Sequence, residues 1–361
     1  MKIAIFGGSF NPIHKGHIKV ALDAVNELNL DKLYFVPANA NPFKKDMKYV
    51  ENKHRIQMIR DVIQSYDKLD ISEFETNRGG VSYTIDTVKY FKHKFPNDEI
   101  YLLIGLDNVN KLNKWKNIEE ISKLVQITIF NRKANFSKIN IKKFSCIRLH
   151  NPNYDYSSTK YRKGDLSQVE KVTQEYIGEN FLYFEEIARN NLSIERFKHL
   201  KFTAEFAALL AKNNNYSIKD AYQAGYMHDI TKEWDQEKAY KFLSRYGFNK
   251  ENLPAYKLHQ TTAYYWLKNN YLYPKQEVLE AIKIHTSMSL DMNELDKILF
   301  IADKICEGRK WTGVQKLRSL ALENLDEGLK AVVKSCVFDL NERKGVTFTP
   351  DQLEIYKKWL N

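Results

Sequence analysis

The chain has 361 residues, a length that favours two domains over one. Hydrophobic residues make up 43% of it, with 22 Tyr, 20 Phe and 5 Trp, which excludes wholesale disorder. The net charge of +11 is shared between both halves with no long basic tail, so it suits anionic small molecules and gives no reason to expect a nucleic-acid partner.

From the N-terminus, β-rich runs at 3–6, 32–36, 101–104, 125–130 and 145–149 alternate with segments of helical spacing at 16–28, 52–64 and 83–94. Such alternation predicts an α/β domain, Rossmann-like, with an open parallel sheet, over residues 1–165. Past residue 165 the strand signal ends. A polar, helix-prone stretch at 166–188 is expected to connect to an all-α bundle at 189–361. In 193–211, Phe197, Leu200, Ala204, Ala207 and Leu210 recur every three or four residues and form one apolar face. Further helices are expected at 218–228, 255–268, 275–285, 292–307 and 314–340. No apolar run approaches the roughly 20 residues of a membrane span, and the N-terminus lacks signal-peptide character. Cys146, Cys306 and Cys336 are too scattered for a disulfide framework. A cytoplasmic protein without a membrane partner is expected.

Two segments carry chemistry. The first reads Gly-Gly-Ser-Phe-Asn-Pro-Ile-His-Lys-Gly-His at 7–17, between the first strand and the first helix. Gly7 and Gly8 let the backbone approach a ligand, Ser9 and the loop amides donate to phosphate oxygens, and the helix N-terminus adds partial positive charge. His14 and His17 are three residues apart and project from the same turn, suited to stabilising charge on a triphosphate under attack.

This segment, Phe10 included, resembles the signature of the adenylyltransferases that attack the α-phosphate of ATP. Further pieces are similar to nicotinate-nucleotide adenylyltransferases: Asn39-Ala-Asn-Pro-Phe-Lys-Lys45, Ser82-Tyr-Thr-Ile-Asp-Thr87, Leu103-Ile-Gly-Leu-Asp-Asn108, Trp115, Arg132 and Ser157-Ser-Thr-Lys-Tyr-Arg162. The resemblance implies ATP, accompanied by Mg2+, held by Gly7, Gly8, Ser9, Phe10, His14, His17, Gly105, Asp107, Ser158, Thr159 and Arg162. It implies nicotinate mononucleotide held by Asn39, Lys44, Lys45, Thr84, Trp115 and Arg132, with the ring on Trp115 and its carboxylate on amides near Thr84 and Trp115. Where that family usually has Pro-Pro-His-Lys, this chain has Pro42-Phe43-Lys44-Lys45. An adenylyltransferase acting on another phosphorylated acceptor, such as phosphopantetheine, is the alternative.

In the helical half, His199, His228-Asp229, His259, His285 and Asp303 offer imidazoles and carboxylates without thiolate, a set suited to Fe, Mn, Zn or Mg. His199, His228, Asp229 and Asp303 can hold one ion, and Asp229 can bridge to a second on His259 and His285, with Asp229 counted as catalytic. The order resembles the HD phosphohydrolases, in particular the YqeK-type symmetrical diadenosine tetraphosphate hydrolases. Matching pieces are Arg196-Phe-Lys-His199, Ala224-Gly-Tyr-Met-His-Asp229, Ala281-Ile-Lys-Ile-His-Thr286 and Ala302-Asp-Lys-Ile-Cys-Glu-Gly-Arg309, with Glu307-Gly308 where the family usually has Glu-Pro. The resemblance implies a dinuclear metal site, with iron expected and manganese or another divalent ion as alternatives. It also implies Lys232, Lys304 and Arg309 as phosphate contacts. A different nucleotide substrate, or a non-catalytic nucleotide sensor, are the alternatives for this half.

Overall fold

The computed structural model describes residues 1–40, 49–339, 341 and 345–360. The chain divides into two compact units, Met1–Tyr183 and Phe184–Asn361.

The first unit is built on six parallel strands, β1 (Lys2–Gly8), β2 (Lys32–Pro37), β3 (Leu69–Ile71), β4 (Glu99–Gly105), β5 (Gln126–Phe130) and β6 (Ile147–Arg148), in the order β3-β2-β1-β4-β5-β6. Ile3, Ala4, Ile5 and Phe6 are all buried, as expected of a central parallel strand covered on both faces. Helices α1 (Lys15–Glu27), α2 (Asn52–Ile63) and α3 (Thr84–Lys94) connect the early strands, and a short α4 (Ser158–Arg162) follows β6. The chain builds outward from β1 to β3, then returns to place β4 on the other side of β1. That reversal opens a crevice at the carboxyl ends of β1 and β4. Strand β3 has only three residues, too few for an alternating pattern; pairing with Leu33–Phe35 makes it a strand. The strand expected at 145–149 contracts to Ile147–Arg148.

The second unit is helical. Its site rests on α5 (Ile194–Asn213), α6 (Ile218–Met227), α7 (Ala255–Trp266), α8 (Gln276–Ile284) and α9 (Glu294–Ile305). Leu295, Ile298, Leu299, Phe300, Ile301, Ala302 and Ile305 are fully buried, so α9 is the core helix. Its N-terminus carries a reciprocal cap between Asn293 and Asp296. Helices α5 and α6 approach backbone to backbone at Gly225, where a Cβ would lie 2.7 Å from Ala204 Cα. Only glycine permits this approach, which draws the end of α6 toward His199 on α5. The helix expected at 314–340 is interrupted: Asn324 ends α10 (Val314–Glu323) in an extended conformation, and its side chain caps the next helix by accepting from the amides of Asp326 and Glu327. The connecting stretch 166–188 is broken as well, with Phe181 and Tyr183 at positive φ.

Candidate active sites

In the first unit, the crevice at the sheet's switch point is a cavity of about 500 Å3. It is lined by Gly7, Gly8, Ser9, Phe10, His14, His17, Thr84, Gly105, Asp107, Trp115, Arg132, Ser158, Thr159 and Arg162, residues that the sequence separates by up to 155 positions. His14 is the N-cap of α1, and its backbone N–H donates to His17 Nδ1 at 3.1 Å. That bond places the proton of a neutral His17 on Nε2, making this nitrogen a donor. The two imidazoles stack with centroids 3.5 Å apart. Burial, followed by the charge of Arg132, pushes His14 down to about 3, so it is neutral in the free protein. Ser9 Oγ is buried without a hydrogen-bond partner, an unspent donor at the loop.

Several residues do something other than the sequence suggests. Gly8 is required by Phe10: a Cβ there would lie 2.8 Å from that ring, which is itself buried against Phe6, Phe35 and His17. Phe10 therefore enters the cavity wall as packing. Ser158 Oγ donates to the Pro12 carbonyl at 2.8 Å, and Arg162 donates to the Asn11 carbonyl, so both tie α4 to the signature loop. A Cβ on Gly105 would sit 2.4 Å from Asp107 Oδ1 and displace that carboxylate. Asp107 faces Arg132 at 3.5 Å. The Trp115 amide is taken up by the Leu112 carbonyl at 3.0 Å, and the Asp86 amide in the first turn of α3 by the Tyr83 carbonyl at 3.0 Å. Asn39 spends its side chain on the Gly80 carbonyl and on Asn52, supporting the wall from outside the cavity lining. Lys44 and Lys45 lie outside the described residues.

In the second unit, two sets of side chains converge. Donor atoms of His199, His228, Asp229 and Asp303 lie within 4.8 Å of one another, as do those of Asp229, His259 and His285. Asp229 belongs to both sets, with its Oδ2 3.5 Å from His228 Nε2 and 4.0 Å from His199 Nε2. Its Oδ1 lies 3.6 Å from His259 Nε2 and 3.5 Å from His285 Nε2. Two ring orientations are set by the helix ends. His228 Nδ1 donates to the Gly225 carbonyl at 2.8 Å and His285 Nδ1 to the Ile282 carbonyl at 2.7 Å, which turns both Nε2 atoms inward. His228 Nε2 and Asp229 Oδ1 are buried without hydrogen-bond partners. Inward-facing Nε2 atoms, buried polar atoms without partners and a carboxylate facing two ligand sets fit a pair of divalent ions. Burial opposes ionisation of Asp229 and Asp303, yet His228 beside the first and Lys304 beside the second hold both well below the usual carboxylate range.

Cations rim this centre. Lys232 Nζ lies 3.0 Å from His259 Nε2, Lys304 Nζ 2.6 Å from Asp303 Oδ2, and the Arg309 guanidinium 3.7 Å from Asp303 Oδ1. Arg196, not singled out among the site residues by sequence, donates to Asp229 Oδ2 at 2.7 Å. Its signal was its spacing, three positions before His199 on one helical face.

Comparison with known proteins agrees with this geometry. The cytidylyltransferase-like family matches residues 5–164 and the HD domain family residues 196–307. A protein of Mycoplasma genitalium named "Probable nicotinate-nucleotide adenylyltransferase/Ap4A hydrolase" is 32% identical over 346 residues, covering 92% of this chain and 97% of its own length. The chain belongs to this family of fused adenylyltransferase/Ap4A hydrolases. A second member, from Mycoplasma pneumoniae, is 32% identical over 304 residues, covering 83% of this chain and 87% of its own length. A "Probable nicotinate-nucleotide adenylyltransferase" of Aliarcobacter butzleri is 40% identical over 178 residues, 49% of this chain and 95% of its own length. Like the family, the protein is a bifunctional enzyme, with a nucleotidyltransferase unit followed by an HD hydrolase unit. Among the described residues, no helix is long and apolar enough to cross a membrane.

Proposed function

We propose that the first unit joins the adenylyl group of ATP to nicotinate mononucleotide, releasing pyrophosphate and forming nicotinate adenine dinucleotide. The second unit, in this reading, hydrolyses diadenosine tetraphosphate symmetrically to two ADP. Both reactions are placed in the cytoplasm.

In the transfer step, a phosphate oxygen of the mononucleotide attacks the α-phosphorus of ATP, and the bond from that phosphorus to the β-bridging oxygen breaks. Mg2+ bound with ATP offsets phosphate charge. The Gly7–Ser9 loop and the N-terminus of α1 receive the triphosphate, and His17 Nε2–H and His14 meet the charge that builds as pyrophosphate leaves. Asp107 is suited to the ribose hydroxyls, Thr159 and Arg162 to the outer phosphates, and Lys44, Lys45 and Arg132 to the mononucleotide. Trp115 offers a face for the pyridine ring. The stacked His14–His17 pair at the mouth of the glycine loop is the observation that carries this assignment.

In the second unit, His199, His228, Asp229, His259, His285 and Asp303 would hold two divalent ions; the thiolate-free donor set suits iron or manganese. Such ions supply Lewis-acid polarisation of a phosphoryl group and a water of lowered pKa. Arg196, Lys232, Lys304 and Arg309 grip the tetraphosphate and neutralise the leaving ADP. Asp229, shared between two ligand sets, supports this reading best.

The test supplies purified protein with ATP and a panel of acceptors, then with diadenosine tetraphosphate. Equal yields of nicotinate adenine dinucleotide and pyrophosphate, and ADP as the single hydrolysis product, are expected. Turnover with phosphopantetheine and none with nicotinate mononucleotide would overturn the first assignment, and AMP with ATP as products would overturn the second.

A further inference from the structure

Arg55 is fully buried on α2, behind the cavity wall, and is absent from the cavity lining. Its guanidinium makes four donor contacts to three segments of the fold. Nη1 donates to the Ser9 carbonyl at 2.7 Å, Nη2 to the Ala38 carbonyl at 2.7 Å and to Asn52 Oδ1, and Nε to the Val50 carbonyl at 3.2 Å. Ser9 is in the phosphate loop; Ala38 directly follows β2; Val50 and Asn52 lie either side of Glu51, the N-cap of Arg55's own helix α2. Among the described residues Arg55 makes no ion pair; these oxygens and the Tyr49 ring, whose centroid lies 5.4 Å from the guanidinium carbon, face its buried charge. The contacts persist only if the phosphate loop, the end of β2 and the start of α2 keep one arrangement.

The chain of bonds continues to the other side of the cavity. Asn52 Nδ2 donates to Asn39 Oδ1 at 2.6 Å. The Asn39 amide donates to Ser82 Oγ at 3.0 Å, its Nδ2 to the Gly80 carbonyl at 2.8 Å, and the Ser82 amide to the Ala40 carbonyl at 2.9 Å. Ser82 lies two residues before Thr84, where α3 opens toward the cavity. One hydrogen-bonded path therefore runs from the ATP loop at Ser9, through Arg55, Asn52 and Asn39, to the start of α3.

We infer that Arg55 is a positioning residue that holds the ATP cradle and the acceptor wall in one rigid frame, with Asn52 as its link to the acceptor side. This rests on the adenylyl-transfer reading for the identity of the acceptor. Neither residue touches the reacting atoms. Their work is to keep the acceptor oxygen and the α-phosphorus in register, and errors of about 1 Å in such register cost about 100-fold in rate. Lysine cannot substitute, because a single ammonium cannot span the Ser9, Ala38 and Val50 carbonyls.

The test compares Arg55→Lys and Asn52→Ala in the full chain, each checked for folding by its circular dichroism melt and by intact hydrolase turnover. Arg55→Lys should lower kcat/KM for adenylyl transfer about 100-fold and weaken binding of a non-hydrolysable ATP analogue. Asn52→Ala is half-exposed and leaves the Ser9 and Ala38 bonds in place. It should raise KM for the mononucleotide severalfold while KM for ATP stays within a factor of about two, a split that a general loss of stability would not produce. The inference is overturned if Asn52→Ala leaves the mononucleotide KM unchanged, or if folded Arg55→Lys binds the ATP analogue as tightly as the wild type. Failure of the wild type to use nicotinate mononucleotide would sink the acceptor assignment instead, while the ATP-analogue measurement still decides the role of Arg55.

Discussion

The rings of His14 and His17 stack 3.5 Å apart, locked by the bond from the His14 amide to His17 Nδ1. At that separation two imidazolium cations would repel strongly, so the pair carries at most one positive charge until an anion arrives. His17 Nε2–H is the pre-aimed donor and His14 the group held neutral by burial.

A pH dependence follows from His14. Its value in the folded chain, about 3, lies below the ordinary 6.5. As pH falls from 6.5 toward 3 the unfolded chain takes up a proton that the native chain refuses, so acid removes stability by up to about 1.4 kcal/mol per pH unit from this group. His14→Gln should flatten that part of the curve. Urea unfolding of wild type and variant between pH 4 and 8, followed through Trp115, the one tryptophan of the first unit, measures the difference. Parallel curves would contradict a buried neutral His14.

Truncating His17 to alanine removes the Nε2 donor. It should lower kcat for adenylyl transfer about 100- to 1000-fold while leaving hydrolase turnover intact. A coupled pyrophosphate assay, run beside ADP release from diadenosine tetraphosphate, reads both activities in one preparation.

Metal stoichiometry follows from the two oxygens of Asp229. Asp229→Ala removes a ligand common to both sets and should abolish high-affinity binding of both ions. His259→Ala touches only the Oδ1 side and should leave one ion per chain. Elemental analysis after reconstitution with iron or manganese gives these counts. Two ions retained by His259→Ala would show that the sets are wrongly divided.

Cys306 supports His199. Its Sγ lies 3.6 Å from His199 Nδ1 and accepts from Thr203 Oγ1, also at 3.6 Å, where His228 and His285 have backbone carbonyls instead. Burial raises the thiol's pKa, so it stays protonated and neutral. Cys306→Ala should weaken one ion about 10- to 100-fold, and Cys306→Ser should recover part of the loss. Competition with a chelator measures the affinity, and an unchanged Cys306→Ala affinity would mean the contact is packing alone.

The class of each half and the motifs that carry its chemistry are legible in the order of residues along the chain. Strand–helix alternation, helical spacing and the His-x-Gly-His turn act over a few residues, so local residue order selects them. The sequence also singled out His199, His228, Asp229, His259, His285 and Asp303, through a succession that resembles a family pattern, and the fold brings their donor atoms together in two sets. Only the tertiary structure decided how these groups are used. Which oxygen of Asp229 faces which histidines depends on the approach of α5 and α6 at Gly225, and Gly8 proved to serve Phe10. Pairing across the sheet made a strand of Leu69–Ile71. Arg55 looks in sequence like one more helical arginine; its importance comes from carbonyls of Ser9, Ala38 and Val50 meeting around it. Hydrogen bonds between segments far apart in the chain leave no local periodicity, so side-chain partners of this kind become visible only when the backbone has brought them together.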